Sequence, residues 1–172
     1  MPAVYKKEGK RTKAMNLKEY CSRKLVTAEV AVSHVKCGSR VFIGTGCGEP
    51  QQLIHAMVKD MTIQDVMVYQ MLSFTLAQYV DDPSFLRRFS LKLFFISRTM
   101  RKAAFEGKID YVPAYLSQIP GLFANNSIGL DVALIQVSPP DRFGYCSGQP
   151  SVKTVTPAFF RSASRPLCRS QP

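Results

Sequence analysis

Long hydrophobic runs are missing from this sequence: no stretch approaches eighteen consecutive apolar residues, so no helical membrane span is expected. The first residues also lack the apolar core of a secretory signal. The five cysteines (Cys21, Cys37, Cys47, Cys146 and Cys168) form no CxxC pair, and their odd number argues against a disulfide framework. Histidine is scarce. His34 and His55 stand far apart and neither lies in an HExxH frame, so no metal site is expected. What remains is 172 residues that are 46% hydrophobic and 20% charged, enough for one packed domain and too apolar for wholesale disorder. Reduced thiols in the cytoplasm are the expectation. The basic, acid-poor first 26 residues leave a mitochondrial address open.

Acidic residues are few, 12 against 23 Lys and Arg, and the imbalance is local. Residues 1–13 carry Lys6, Lys7, Lys10, Arg11 and Lys13 against Glu8 alone. Residues 142–172 carry Arg142, Lys153, Arg161, Arg165 and Arg169 and no acid. The excess therefore sits at the two ends, which read as solvated tails. A nucleic-acid face would gather its bases on one surface with polar or aromatic readers among them, so nucleic acid is not an expected partner.

Four apolar runs alternate with amphipathic stretches. Thr27 can cap a helix reaching about residue 36, and Gly38 suits the left-handed position after it. Val41–Ile43 reads as a strand, and Gln51 to Lys59 as a helix opened by Pro50. Val66–Tyr69 is a second strand. Asp81-Asp82-Pro83 is a turn before an amphipathic segment at Phe85–Phe89. Leu91–Ile96, apolar at five of six positions, predicts a third strand buried on both faces. Thr99–Glu106 can be helical, ended by Gly107, and Tyr115–Phe123 predicts a helix broken at Pro120-Gly121. Val132–Val137 is the fourth strand. This rhythm predicts an α/β fold with an open, mostly parallel sheet and flanking helices. From Gly148 onward the composition changes, and that segment is expected to add little to the sheet despite an apolar patch at Val155–Phe160.

Ligands of such sheets bind beyond the carboxyl ends of the strands. Gly44, Gly46, Cys47, Gly48, Glu49 and Pro50 occupy such a place. The glycines allow close backbone approach and free amides at a helix start. The spacing GxGxG is neither a dinucleotide fingerprint nor a P-loop, and it suits a ligand-facing loop and a tight structural turn alike. Glu49 beside helix amides would serve as a hydrogen-bond acceptor; a surface or capping glutamate is the plain alternative. Cys47 as a nucleophile would need a histidine, and none is expected near it. The second loop runs from Ser138 to Cys146, stiffened by Pro139 and Pro140, with Asp141 able to bond to amides and Gly144 turning the chain. Two shaped loops on one edge of one sheet imply a cleft.

Three stretches are more specific: GTGCGEPQQLIHAMV at 44–58, GKIDYVPAYLSQIPGLF at 107–123 and LDVALIQVSPPDRFGYCS at 130–147. In this order and spacing they resemble the amino-terminal domain of the acetyl-CoA hydrolase/transferase family, which includes acetate, succinate, propionate and 4-hydroxybutyrate CoA-transferases. The resemblance covers roughly residues 18–147. It implies two similar α/β domains with the active site between them. It also implies a nucleophilic glutamate in the carboxy-terminal domain, which forms first an acyl anhydride and then a glutamyl-CoA thioester. The amino-terminal domain would shape the acyl and carboxylate pocket through Gly44–Pro50 and through Gln136, Ser138, Pro139, Pro140, Asp141 and Gly144. No catalytic residue is assigned within this chain, because neither Glu49 nor Glu106 corresponds to the family's nucleophile.

The coenzyme A thioester is a substrate by this resemblance, and no permanently bound cofactor is implied. The implied partners are acyl-CoA, a small carboxylate, and a carboxy-terminal domain or homologous subunit, with a homo-oligomer left open. The expected organisation is a basic extension at 1–17, the family-like domain at 18–147 and a divergent basic tail at 148–172. After Ser147 the sequence departs from the family's usual course. A shifted reading frame, early termination or a fragmentary gene model would each produce that departure. The expectation is a chain inactive alone; a non-catalytic module that binds CoA, a carboxylate or a partner is the alternative.

Overall fold

Short apolar runs separated by glycine, proline and capping residues dictate the elements. The computed structural model describes residues 26–138 and the strand at Arg165–Ser170. Six strands form one sheet: β1 (Arg40–Ile43), β2 (Val66–Gln70), β3 (Phe89–Leu93), β4 (Asp110–Tyr111), β5 (Val132–Val137) and β6 (Arg165–Ser170). Their order is β4-β3-β2-β1-β5-β6, and every adjacent pair is parallel. Among the described residues five helices flank it: α1 (Ala28–Val32), α2 (Gln51–Lys59), α3 (Pro83–Arg88), α4 (Arg101–Phe105) and α5 (Ile119–Ala124). Thr27 caps α1 by accepting from the Val30 amide at 3.3 Å. Asp82 caps α3 by accepting from the Ser84 amide at 2.8 Å, and Pro83 needs no amide there.

The pleat sends alternate side chains to opposite faces, so one strand feeds two cores. Val41, Ile43, Val68, Leu91 and Leu134 pack with Val32, Ile54, Met57, Phe85 and Ala103 from α1 to α4. Phe42, Tyr69, Ala133 and Ile135 on the other face pack with Ile119 and Phe123 of α5. The Phe123 ring stands edge-on to Phe42, Phe94 and Tyr69, with centroids 5.7, 6.0 and 6.4 Å away. Arg88 is buried and ties the end of α2 to this scaffold. It donates to the Val58 carbonyl at 2.8 Å and the Asp60 carbonyl at 3.1 Å, satisfying oxygens that a helix end leaves without partners.

From β1 the chain steps outward through β2 and β3 to β4, with α2, α3 and α4 on one face. Next, α5 crosses the opposite face and delivers β5 to the other side of β1. Right-handed crossovers require that change of face when the direction of winding reverses. The boundary between β1 and β5 is therefore the topological switch point, where an open α/β sheet forms its ligand crevice.

Several expectations shift. The segment after Gly148 was expected to add little to the sheet, yet Arg165–Ser170 pairs in parallel with all of β5. An edge strand pairs on one side only and tolerates a proline such as Pro166, so it needs none of the apolar composition that reveals a central strand. The third strand begins two residues earlier than read from the apolar run and ends at Leu93, and it is not buried on both faces, since Ser90 is exposed and Lys92 half-buried; β4 is too short and polar to be read at all. The first helix stops at Val32, well short of residue 36, and turns follow it to Gly38, whose φ is +76°. Pro120 does not break its helix but sits in the first turn of α5, where its missing N–H costs nothing.

Candidate active-site rim

The loop leaving β1 begins at Gly44, whose amide donates to the Leu134 carbonyl of β5 at 2.8 Å. A side chain here would fail: a Cβ on Gly44 would lie 2.5 Å from the Gly48 carbonyl oxygen. The chain then tightens into a 3-10 turn at Gly46–Gly48, entered through Gly46 at φ +58°. The Gly48 amide donates to the Thr45 carbonyl at 3.0 Å, and the Glu49 amide to the Gly46 carbonyl at 3.1 Å. Cys47 is exposed at the tip of the turn, whereas Gly44, Gly48 and Pro50 are buried. Pro50 precedes α2 without a side-chain cap, so the first α2 amides receive no acceptor from it.

Glu49 is neither a surface glutamate nor a helix cap. It is only 5% exposed, and its carboxylate turns away from α2 toward the loop after β2. One oxygen accepts from the Gln70 side-chain amide at 2.9 Å and the Phe74 amide at 2.8 Å. The other accepts from the Thr75 amide at 2.9 Å and from the Thr75 hydroxyl. Gln70, wholly buried at the end of β2, also donates to the Gly44 carbonyl at 3.0 Å. Both partners of its Nε2 are acceptors, which fixes the orientation of the amide. Thr45 adds a second tie: its hydroxyl donates to the Leu72 carbonyl at 2.6 Å and accepts from the Leu72 amide at 2.7 Å. From the next loop, the Ser97 hydroxyl donates to the Ser73 carbonyl at 3.2 Å.

Gln136 and Ser138, at the end of β5, are half-buried beside this assembly, because β5 pairs with β1. The structure thus brings Gly44–Pro50, Gln136 and Ser138 to the carboxyl ends of two adjacent parallel strands. Pro139, Pro140, Asp141 and Gly144 lie outside the described residues. The sequence reading missed Gln70, Ser73, Phe74, Thr75 and Ser97. A glutamine ending an otherwise apolar strand was the available signal. Phe74, Phe95 and Tyr115 follow the carboxyl ends of β2, β3 and β4 and are 53%, 37% and 77% exposed.

Among the described residues, no group of three or more His, Cys, Asp or Glu side chains could hold a metal ion. Nor is any helix there long and apolar enough to cross a membrane. An open depression on the opposite edge, lined by His34, Cys37, Gly38 and Asp131, lies beyond the amino ends of the strands. Sheets of this winding do not place their ligands there.

Comparison with known proteins agrees with this fold. The family model described as the acetyl-CoA hydrolase/transferase N-terminal domain matches residues 9–166, beyond both ends of the 18–147 stretch. The chain is 37% identical over 134 residues to a 4-hydroxybutyrate coenzyme A transferase of Clostridium kluyveri, covering 77% of this chain and 31% of that protein. It is also 37% identical over 133 residues to a succinyl-CoA:acetate/propanoyl-CoA:succinate CoA transferase of Fasciola hepatica, covering 76% of this chain and 27% of that one. The crystal structure of RipA from Yersinia pestis superposes with a TM-score of 0.74 at 27% identity, over 90% of this chain and 38% of RipA. The chain spans less than a third of the length of these curated relatives.

Proposed function

This chain belongs to the acetyl-CoA hydrolase/transferase family through its amino-terminal domain, and from that premise we propose that its rim forms one wall of an acyl-CoA and carboxylate site. The observation that carries this reading is the reversal of winding at β1 and β5. It sets the Gly44–Pro50 loop beside Gln136 and Ser138 at the edge where such sheets receive ligands. The opposing wall is a carboxy-terminal domain of the kind the family carries, and the nucleophile is that domain's glutamate.

In this reading a carboxylate oxygen of that glutamate attacks the thioester carbon. The carbon–sulfur bond breaks, CoA leaves as thiolate, and an acyl–glutamyl anhydride forms. The thiolate then attacks the glutamyl carbonyl, releasing the donor acid and leaving a glutamyl-CoA thioester. The acceptor carboxylate attacks that thioester and expels CoA as thiolate, forming a second anhydride, and the thiolate attacks the acceptor's carbonyl to give the new acyl-CoA and free the glutamate. A carboxylate is a weak nucleophile in water. Binding energy from the long CoA chain is what desolvates and orients it. This chain's share is a rigid, water-excluding wall set beside the developing negative charge. Gln136 and Ser138 contribute from the end of β5, and the family resemblance assigns Pro139, Pro140, Asp141 and Gly144 to the same pocket.

The test is exchange of radiolabelled acetate into acetyl-CoA. We expect no exchange by the chain alone, and exchange when a family member's carboxy-terminal domain is supplied in trans. Robust exchange with no other polypeptide present would refute the division of labour. A second reading, a non-catalytic module that holds CoA or a partner, is favoured by the exposed rings of Phe74, Phe95 and Tyr115. It gives partner binding in a pull-down and no exchange under either condition.

A further inference from the structure

We propose that Glu49 is a positioning residue that makes the loops after β1 and β2 one rigid unit; its importance for catalysis rests on the acyl-CoA reading, its mechanical role does not. Its carboxylate leaves the backbone of one loop and is held by two backbone amides, a hydroxyl and a side-chain amide belonging to β2 and the loop after it. With acceptors on both oxygens, a carboxylate matches four converging donors. A carboxamide of the same length cannot, because one end would point N–H groups at N–H groups whichever way it was flipped. The residue is also spent: buried and fully engaged, it has no oxygen left to offer a substrate.

What Glu49 holds is the exposed part of the rim. Two residues before it is Cys47, exposed on the tight turn; the two Glu49 oxygens hold the consecutive amides of Phe74 and Thr75, with the Phe74 ring exposed. Gln70 closes the circuit by donating to both Glu49 and the Gly44 carbonyl, so the start and the end of the first loop share one buried partner. Networks of this kind cost much when partly satisfied, and here the Gln70 Oε1 and Ser73 Oγ atoms are already buried without a partner. Removing Glu49's acceptors would add four unsatisfied donors to the same small volume. Release of the two loops together is the expected response.

Residue-resolved hydrogen exchange on the full chain separates positioning from a merely local bond. The informative amides are Gly48 and Leu72, which bond to Thr45 and not to Glu49. In Glu49→Gln we expect both to lose protection by roughly tenfold or more, the equivalent of one charged hydrogen bond, along with Phe74 and Thr75. The β2–β3 ladder should keep its protection. Glu49→Asp retains both acceptor oxygens and should restore most of the protection at Gly48 and Leu72. If Glu49→Gln does not fold, Thr75→Val removes a single donor hydroxyl and should produce a smaller change at the same two amides.

Protection at Gly48 and Leu72 that stays unchanged in the folded variants, or that Glu49→Asp fails to recover, overturns the proposal. Added acetyl-CoA, with a family member's carboxy-terminal domain present, tests the other reading separately. If the wild-type rim amides ignore acetyl-CoA while Glu49→Gln still loosens them, the acyl-CoA reading fails and the positioning role stands.

Discussion

Gly44→Ala puts a single methyl group where the rim has no room. Its Cβ would sit 2.5 Å from the Gly48 carbonyl oxygen, whereas real Cβ atoms essentially never come within 3.0 Å, so the two must part by half an ångström or more. The obstacle is backbone, held in a 3-10 turn by the Gly48 amide bond to Thr45, and it cannot rotate away as a side chain would. Overpacking of this kind costs about 1–3 kcal/mol. Displacing Gly44 also weakens its bond to Leu134, worth about 1 kcal/mol more. With a urea slope of about 2 kcal/mol/M for a chain of this size, the midpoint should fall by about 1–2 M without a change in slope. Gly121→Ala is the internal control. Gly121 sits within α5 with nothing within 4 Å of its would-be Cβ, and alanine there should stabilise by about 0.5–1 kcal/mol. A Gly44→Ala midpoint equal to wild type would show that the turn is pliable and that the rim is not the rigid wall described above.

Arg88→Met should cost about 2–4 kcal/mol in the same urea titration, because the Val58 and Asp60 carbonyls lose a buried donor. Arg88→Lys should recover only part of it, since one ammonium cannot span both oxygens as the fork does. A loss under 0.5 kcal/mol would dismiss Arg88 as the clamp on α2. Stability should be flat across neutral pH and fall at both extremes. The Lys108 ammonium holds the Asp81 carboxyl below its ordinary 3.8, and hydrogen bonds from Thr62 and Ser84 do the same for Asp60 and Asp82. The stability these groups add is therefore present above 3.8 and lost as pH falls below it. Asp81 and Glu106 raise Lys108 above 10.5, so its contribution is present below 10.5 and lost as pH rises past its folded value. Thermal melts across the pH range check both edges. A decline that began near neutrality would point to other groups.

The sequence revealed the architecture wherever burial leaves a compositional mark. Val41–Ile43, Val66–Tyr69 and Val132–Val137 are buried on both faces of a parallel sheet, so their apolar continuity announced them. The shared edge was legible as well, since Gly44 and Ser138 follow the carboxyl ends of β1 and β5; that these strands are neighbours, and so form the switch point, was not. The edges were hidden: β4 is two residues long, and β6 carries arginines and a proline that an outer strand tolerates. The site was only half legible. Three glycines at close spacing marked the turn, and Glu49 read either as an acceptor for nearby helix amides or as a surface or capping residue, because its actual partners at Gln70, Phe74 and Thr75 lie more than twenty residues away. Local spacing carries no information about such a contact; only the pairing of β1 with β2 creates it.

The most direct measurement uses two thiols that the fold sets at opposite ends of β1. Cys37 and Cys47 are both exposed, the first before the strand and the second on the rim. Alkylation rates at each, read by peptide mapping, should diverge when a family member's carboxy-terminal domain and acetyl-CoA are added. We expect Cys47 to be shielded by about tenfold or more while Cys37 reacts as before. Equal shielding of both, or shielding of Cys37 alone, would place the partner and its substrate elsewhere and contradict the rim as the acyl-CoA wall.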